Sequence, residues 1–262
     1  MLLAIDCGNT EVVFGIFKAS KLCHRWRVKT LTTSNEKDFL SRLLDKLGNL
    51  NISPNMIKQI ILASVVNEAS ACFDYLESSF SIPFASICNS SLKLPITIDL
   101  PDPLQVGADR IVNAVAGTSL TNGDIIIVDF GTATTFDIVK IVCGRPSYSG
   151  GIIAPGVNLS VKALSQATSK LPKININKCP DKVSIIGKNT KDAMWSGIIW
   201  GYVGLIEGII NKIKNESDSN FEIIATGGLA GLYLPYSELI IRKESDLTLL
   251  GLYQIAKING LI

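Results

Sequence analysis

The sequence predicts an α/β protein built from two similar halves, and three observations support this prediction. Short apolar segments with the composition of strands alternate with segments of helical spacing. The order of these segments begins again near residue 125. The chain has 262 residues, of which 47% are hydrophobic and 18% charged, so it can bury one large core or two smaller ones. We therefore expect two α/β domains, 1–118 and 119–262.

The first half is predicted to begin with three strands and to continue with alternating helices and strands. A helix is predicted over 36–47 because Phe39, Leu43 and Leu47 recur at helical spacing. Further helices are predicted over 69–79 and 111–116. The predicted strands of this half are 2–5, 12–17, 24–29, 59–65 and 84–87.

The second half repeats this order, with three strands, then helices over 159–167 and 190–215, then a strand. The segments LAIDCGNTEVVFGIF and IIVDFGTATTFDIVK share an apolar run, an aspartate, a glycine two residues later and a β-branched strand. Asp6 therefore corresponds to Asp129, which makes a weak internal repeat. The predicted strands of this half are 125–129, 134–142, 146–153 and 222–226.

The two repeated turns suggest a phosphate site. A glycine lets the backbone approach a ligand, and backbone N–H groups and hydroxyls can donate hydrogen bonds to phosphate oxygens. Aspartates beside a phosphate need a cation between them. The alternative is that Asp129 caps a turn and that Thr132, Thr134 and Thr135 are ordinary strand residues, since Asp-x-Gly turns are common.

Charge and composition exclude several classes of protein. The net charge of +2 gives no field for nucleic acid or an anionic membrane, and we expect neither as a partner. The N-terminus lacks the basic segment of a signal peptide, so we expect a cytoplasmic protein. The lysine-rich stretch 162–191 has no aromatic residues between its lysines and is interpreted as a solvated face.

Cysteine and histidine patterns exclude further mechanisms. The six cysteines form no CxxC pair and are expected to be free thiols. His24 is the only histidine, which disfavours a multi-histidine zinc site and a Ser-His-Asp triad. The sequence also lacks G-x-x-x-x-G-K-[ST], so no P-loop lysine is expected to hold phosphates.

Five motifs follow one another along nearly the whole chain: DCGNT (6–10), GADR (107–110), DFGTATT (129–135), GGIIAPG (150–156) and TGG (226–228). In this order they resemble the motifs of the type III pantothenate kinase family. That family belongs to the superfamily of acetate kinase, sugar kinases, Hsp70 and actin. The resemblance implies a duplicated ribonuclease H-like, actin-like α/β fold with mixed five-stranded sheets and a cleft between the domains.

The resemblance implies that ATP binds through two phosphate loops, at 6–13 and at Thr132. Asp6 would hold Mg²⁺ through water, while the glycine, asparagine and threonine that follow would contact the phosphates. The residues assigned to the first loop are Asp6, Cys7, Gly8, Asn9, Thr10, Glu11, Val12 and Val13.

Further assignments concern the second half. By resemblance, Asp129 binds a monovalent cation, K⁺ or NH₄⁺, which would offset carboxylate charge close to ATP. Thr226, Gly227 and Gly228 resemble the adenosine motif, although Gly-Gly is also an ordinary turn from strand to helix. Thr190 resembles a threonine that reaches pantothenate from a second subunit, which implies a homodimer with a shared active site. The same threonine could also cap the next helix.

The resemblance assigns the binding of the substrate, pantothenate, to residues 107–110. By resemblance, Asp109 is the general base for the primary hydroxyl of pantothenate, and Arg110 suits an anionic partner. Gly107 and Ala108 allow close backbone approach. Spacing alone favours a helix-terminal acid and a surface arginine instead. At Leu100 the family often has a tyrosine that helps line the substrate pocket, so the fit of pantothenate is in doubt.

These assignments predict an enzyme that uses ATP to phosphorylate pantothenate to 4′-phosphopantothenate, the first step of coenzyme A biosynthesis. The alternatives are a kinase of another small hydroxyl substrate and a non-catalytic transcriptional accessory factor of the same fold. A degenerate regulator would be expected to lose one of the acids, yet Asp6, Asp109 and Asp129 are all present.

Overall fold

The described residues form two compact α/β units. The computed structural model describes residues 1–30, 36–66, 76, 82, 84–87, 92–168, 170–217 and 219–262. The first unit comprises Met1–Leu120 and Asp246–Ile262, and the second comprises Thr121–Ser245. The C-terminal segment thus returns to the first unit, whereas the predicted domain 119–262 placed it in the second.

The first unit is organised around a mixed five-stranded sheet. Its strands are β1 (Leu2–Cys7), β2 (Glu11–Lys18), β3 (Lys21–Lys29), β4 (Gln59–Ser64) and β5 (Phe84–Ser86). They lie in the order β3-β2-β1-β4-β5, with the first three antiparallel and β4 and β5 parallel to β1. Central β1 is almost wholly buried because helices cover both of its faces. A two-residue strand, β6 (Thr97–Ile98), follows along the chain.

Helices cover both faces of this sheet. On one face, α1 (Glu36–Asn49) contributes Phe39, Leu43 and Leu47 to the core around β1 and β4. On the other face, α2 (Ala108–Thr118) packs against the last helix of the chain, α6 (Leu247–Ile258). Asn113 and Thr248 join these two helices through a side-chain hydrogen bond of 2.9 Å.

The sequence analysis missed α6, and its composition explains why. Leu247, Leu249, Leu252 and Ile255 are all buried, although they do not fall on one narrow stripe. A helix that is apolar on several sides lacks the period by which amphipathic helices are recognised. Only its burial between α2 and the sheet makes this segment a defined helix.

The second unit repeats the topology of the first. Its strands are β7 (Asp124–Phe130), β8 (Ala133–Val142), β9 (Arg145–Pro155), β10 (Phe221–Thr226) and β11 (Arg242–Lys243). They lie in the order β9-β8-β7-β10-β11, with the first three antiparallel and β10 and β11 parallel to β7. Order and direction match those of the first sheet, so the predicted duplication is confirmed.

The helices of the second unit are α3 (Val157–Gln166), α4 (Thr190–Ser217) and the short α5 (Ala230–Tyr233). Within the described part of the chain, α4 is the one helix long and apolar enough to cross a membrane. Half of its most apolar 18-residue stretch is buried, and Trp195, Ile199 and Ile206 belong to the core of the unit. The core helix of a folded domain meets the same criteria, so α4 is weak evidence for a membrane span.

The predicted strands and helices are confirmed where they lie within the described residues, with ends shifted by at most three residues. The predicted helix 69–79 lies outside the described residues apart from Leu76. Lysines of the stretch 162–191 are exposed, as a solvated face requires. Four cysteines are free thiols, as expected, while Cys72 and Cys88 lie outside the described residues; the four are Cys7, Cys23, Cys143 and Cys179.

Candidate active site

Asp6 is the penultimate residue of β1, at the edge where the parallel strands of the first sheet end. It pairs with Val13 across the β1–β2 hairpin and with Ala63 of β4. Because side chains alternate along a strand, Asp6 points to the same face as Leu2 and Ala4, opposite the face that packs on α1. The half-buried carboxylate therefore lies on the side of the sheet that carries α2.

The tight turn that follows is the predicted first phosphate loop. The Gly8 N–H donates to the carbonyl oxygen of Glu11 at 3.0 Å and closes the turn, while Asn9 and Thr10 are exposed. Thr30, which follows β3, donates to this turn through its hydroxyl and its N–H. Sequence reasoning missed Thr30, because no periodicity or motif links it to a turn 22 residues earlier.

Asp109 lies in the first turn of α2. Its Oδ1 accepts a hydrogen bond from the backbone N–H of Arg110 at 2.8 Å. A Cβ at Gly107, the N-cap residue, would lie 2.7 Å from the same oxygen, so the glycine makes room for the carboxylate. Burial raises the pKa of Asp109 above its usual value, and hydrogen bonding to the Arg110 N–H and the charge of Arg110 partly offset this rise.

The edge of the first sheet brings this motif to the first phosphate loop. Val65, which follows β4, donates its N–H to the carbonyl oxygen of Cys7 at 3.1 Å. A side-chain carbon of Val65 lies 3.6 Å from the Cβ position of Gly107. Val65 therefore lies between Gly107 and the end of β1. The motifs 6–10 and 107–110, which were predicted separately, form one region of the first unit.

The turn between β7 and β8 is the predicted second phosphate loop. Asp129 is the penultimate residue of β7, the position that Asp6 occupies in β1. The Gly131 N–H donates to the carbonyl oxygen of Ala133 at 3.1 Å. Asp129 pairs with Thr135 here, whereas Asp6 pairs with Val13, so this turn is one residue shorter than the first. Thr132 lies exposed within it.

The predicted adenosine motif lies beside this loop because β7 and β10 pair in parallel. Thr226, the last residue of β10, pairs with Asp129. Gly227 follows with φ +87°, a backbone conformation that favours glycine. A Cβ at this position would lie 2.4 Å from Asp129 Oδ1 and 2.7 Å from the Phe130 nitrogen. The glycine is therefore required by the close approach of the two motifs.

Asp6 and Asp129 could hold a cation whose other ligands come from a substrate and from water. In the described ranges, no three His, Cys, Asp or Glu residues converge on a metal position. Asp6 and Asp129 each offer a carboxylate next to the backbone of a turn. Mg²⁺ is commonly held by one or two carboxylates together with phosphate oxygens and water, so this donor set fits it.

Thr190 is the first residue of α4 and is exposed. The cap of this helix is Asn189, whose Oδ1 accepts from the Asp192 N–H at 2.9 Å and whose Nδ2 donates to the Asp192 carboxylate at 2.8 Å. The alternative that Thr190 is the cap is therefore wrong. Thr190 instead lines an apolar groove of about 600 Å³ between α3 and α4. Leu100 is half-buried, two residues after β6.

Comparison with known proteins identifies the family. A model of the type III pantothenate kinase family matches residues 2–212. The chain belongs to this family. A type III pantothenate kinase from Geotalea daltonii is 43% identical over 254 residues, which cover 96% of each chain. Another, from Bacillus cytotoxicus, is 40% identical over 263 residues, which cover 100% of this chain and 98% of the relative.

Solved structures show the fold of this family member. The activator of 2-hydroxyisocaproyl-CoA dehydratase from Clostridium difficile, with bound ADPNP, has a TM-score of 0.55 at 14% identity and covers 100% of this chain and 97% of its own. A protein from Campylobacter jejuni described as a Baf family transcriptional activator has a TM-score of 0.55 at 18% identity, covering 99% and 100%. Together with the repeated strand order, these likenesses confirm the predicted actin-like fold.

The close approach of Gly227 to Asp129 can be tested by Gly227→Ala. The added Cβ would overlap the Asp129 carboxylate at a φ that alanine disfavours, so we expect ATP affinity to fall by about tenfold or more, the equivalent of a strain of roughly 1–3 kcal/mol. Calorimetric titration with ATP measures this.

The matched control is Gly204→Ala on α4, where a Cβ would meet nothing within 4 Å. This variant should keep the ATP affinity of the wild type and gain up to about 1 kcal/mol of helix stability. Unchanged ATP binding by Gly227→Ala would show that the contact with Asp129 does not shape the nucleotide site.

Proposed function

We infer that this protein is a pantothenate kinase, which transfers the γ-phosphoryl group of ATP to pantothenate and yields 4′-phosphopantothenate and ADP. This reaction is the first step of coenzyme A biosynthesis, and we place it in the cytoplasm. Asp109 carries the inference from the structure. It is a half-buried carboxylate of raised pKa at the start of α2, beside the end of β1, in a family named for this reaction.

We propose that Asp109 accepts the proton of the attacking hydroxyl. The oxygen of that hydroxyl bonds to the γ-phosphorus while the bond from this phosphorus to the bridging oxygen of ADP breaks. A carboxylate whose pKa is raised by burial is a stronger base than an exposed one. The Arg110 N–H orients the carboxylate, and the Arg110 side chain suits the anionic end of pantothenate.

ATP is assigned to the loops at the strand ends. Gly8, Asn9 and Thr10 contact the phosphates in this proposal, and Thr132 contacts them from the second loop. The exposure of Asn9, Thr10 and Thr132 supports these roles. Mg²⁺, held by Asp6 through water, would neutralise charge that develops on the phosphoryl group. The adenosine lies along the turn of 226–228, where Gly227 has no side chain.

A monovalent cation is assigned to Asp129, and K⁺ or NH₄⁺ would offset its negative charge near the phosphates. Parallel pairing with Thr226 and contact with Gly227 hold this carboxylate at the strand ends. A carboxylate in this place would otherwise repel ATP, which is the physical reason for the cation.

Leu100 is the residue where this chain differs from the family in the proposed pantothenate pocket. A leucine keeps the apolar bulk of the family's tyrosine but has no hydroxyl to donate a hydrogen bond. We propose that this pocket accepts pantothenate with one hydrogen bond fewer, which lowers the affinity and leaves the reaction unchanged.

A second copy of the chain is the proposed occupant of the groove between α3 and α4. The groove is lined almost entirely by apolar and small side chains, including Leu164, Ala193 and Gly201. Ile185 and Ile186, just before α4, are 65% and 68% exposed. Contiguous exposed apolar surface on a folded protein is typical of an interaction site.

Thr190 connects this surface to the reaction. It lines the groove, so a second copy bound there by two-fold symmetry would place its own Thr190 near the interface. We propose a homodimer in which Thr190 of each subunit contributes to the pantothenate site of the other.

The proposed reaction predicts turnover that depends on the monovalent cation. Purified protein with ATP, Mg²⁺ and pantothenate should form phosphopantothenate faster in K⁺ than in Na⁺ at equal ionic strength, and Asp129→Asn should abolish the difference. Mass spectrometry of the product and ADP release measure the rate. If folded protein binds ATP yet forms no product in either buffer, the substrate is another small alcohol or the protein is a regulator.

The role of Asp109 predicts a specific loss and a pH dependence. Asp109→Asn should lower kcat by about 10² or more and preserve ATP binding, because only proton transfer is lost. In the wild type, kcat/KM should fall as the pH drops through the pKa of Asp109, above the usual value of 3.8. Asp45→Asn, at an exposed site on α1, is the control. Near-normal kcat in Asp109→Asn would remove Asp109 from this role.

The proposed dimer predicts that a bulky charge in the groove separates the subunits. The Gly201→Glu variant should sediment as a monomer, and its rate should no longer saturate with pantothenate. The control is Gly48→Glu, at an exposed helical glycine of the first unit, which should behave as the wild type. Analytical ultracentrifugation and pantothenate kinetics report both properties. A dimeric Gly201→Glu variant would locate the interface elsewhere, and a monomeric wild type that turns over normally would refute the shared site.

A further inference from the structure

The first phosphate loop is held from outside its own hairpin. Within the turn, the hydrogen bond from the Gly8 N–H to the Glu11 carbonyl oxygen closes the four residues. Asn9 and Thr10 at the tip are exposed, so packing by neighbouring side chains contributes little to their position. A loop that binds phosphate through its backbone gains affinity when its peptide planes are fixed beforehand.

Thr30 supplies two further hydrogen bonds to this turn. Its hydroxyl donates to the carbonyl oxygen of Gly8 at 2.6 Å. Its backbone N–H donates to the carbonyl oxygen of Thr10 at 3.0 Å. Gly8 lies on the limb of the turn that leaves β1, and Thr10 lies on the limb that enters β2. One residue at the end of β3 therefore ties both limbs together.

The two bonds differ in origin. Lys29 is the last residue of β3 and pairs with Glu11, so the bond from the Thr30 N–H continues the β2–β3 ladder and any residue other than proline could make it. The bond from the hydroxyl crosses to Gly8 and depends on the side chain. Only the hydrogen bond from the hydroxyl therefore requires a threonine or serine at position 30.

The hydroxyl bond also sets the direction of a donor. In a planar trans peptide, the C=O and the N–H of the next residue point in opposite directions. Because Thr30 binds the Gly8 carbonyl oxygen, the N–H of Asn9 points away from β3. Asn9 is an exposed residue, and its N–H is then fixed at the tip of the loop, where it can donate to a phosphate oxygen.

We propose that Thr30 is a positioning residue for the nucleotide, which orients the Gly8–Asn9 peptide so that the Asn9 N–H meets an ATP phosphate. This inference rests on the proposed use of ATP by the first loop and adds a residue to it. Thr30 does not touch the substrate and acts through the peptide that it holds.

The test compares Thr30→Val, Thr30→Ser and a control. Valine keeps the shape and the backbone N–H and removes the hydroxyl, whereas serine restores the hydroxyl. The control is Thr118→Val in α2, which removes a part-buried hydroxyl that donates to the Val115 carbonyl oxygen at 2.8 Å. Calorimetric titration with ATP and Mg²⁺, without pantothenate, gives the nucleotide affinity, and thermal melts show whether each variant is folded.

Thr30→Val should weaken ATP binding by about tenfold, the upper range for one hydrogen bond. It should raise KM for ATP to a similar extent, with kcat and KM for pantothenate little changed. Thr30→Ser should restore the affinity, and Thr118→Val should lose stability only. A Thr30→Val protein that melts lower yet binds ATP as the wild type does, or a serine variant that fails to restore binding, would overturn the proposal.

The titration separates this proposal from the proposed reaction. If the wild type binds ATP but does not phosphorylate pantothenate, the assigned reaction is wrong, while the affinities of the Thr30 variants still decide the role of Thr30. If the wild type does not bind ATP, both proposals fail.

Discussion

Parallel pairing between the first strand of each sheet and the strand that returns beside it determines where the motifs lie. In the first unit, β1 and β4 end together, so that Val65 binds Cys7 and brings Gly107 next to the first phosphate loop. In the second unit, β7 and β10 end together, and Thr226 pairs with Asp129. The carboxyl ends of parallel strands share one edge of a sheet, which is where α/β folds place their ligands.

The carboxyl edge of each sheet carries an aspartate whose negative charge would repel a bound phosphate. Asp6 and Asp129 occupy equivalent positions in the two sheets, each one residue before the end of its strand. Phosphate bound next to these carboxylates, as we propose, would require cations, whereas the proposed base Asp109 requires only burial, which raises its pKa. In the proposed reaction, the three aspartates therefore have different tasks because their surroundings differ.

Glycine and hydroxyl residues act on the backbone around these acids. Gly227 allows β10 to end against Asp129, and Gly107 leaves space for the Asp109 carboxylate. Thr30 holds the turn after Asp6 through the carbonyl oxygens of Gly8 and Thr10. The tips of the loops are exposed, while β1 and β7 behind them are almost wholly buried.

The sequence by itself determined the order of most strands and helices, the internal repeat and the acids at 6, 109 and 129, because periodicity and motif spacing are local properties. Only the tertiary structure decided that α6 belongs to the first unit, that Asn189 and not Thr190 caps α4, and that Thr30 holds the first loop. An all-round apolar helix has no period to read, a cap depends on where the first turn begins, and a hydrogen bond across 22 residues depends on strand register. These features arise from pairing and packing, which spacing along the chain does not encode.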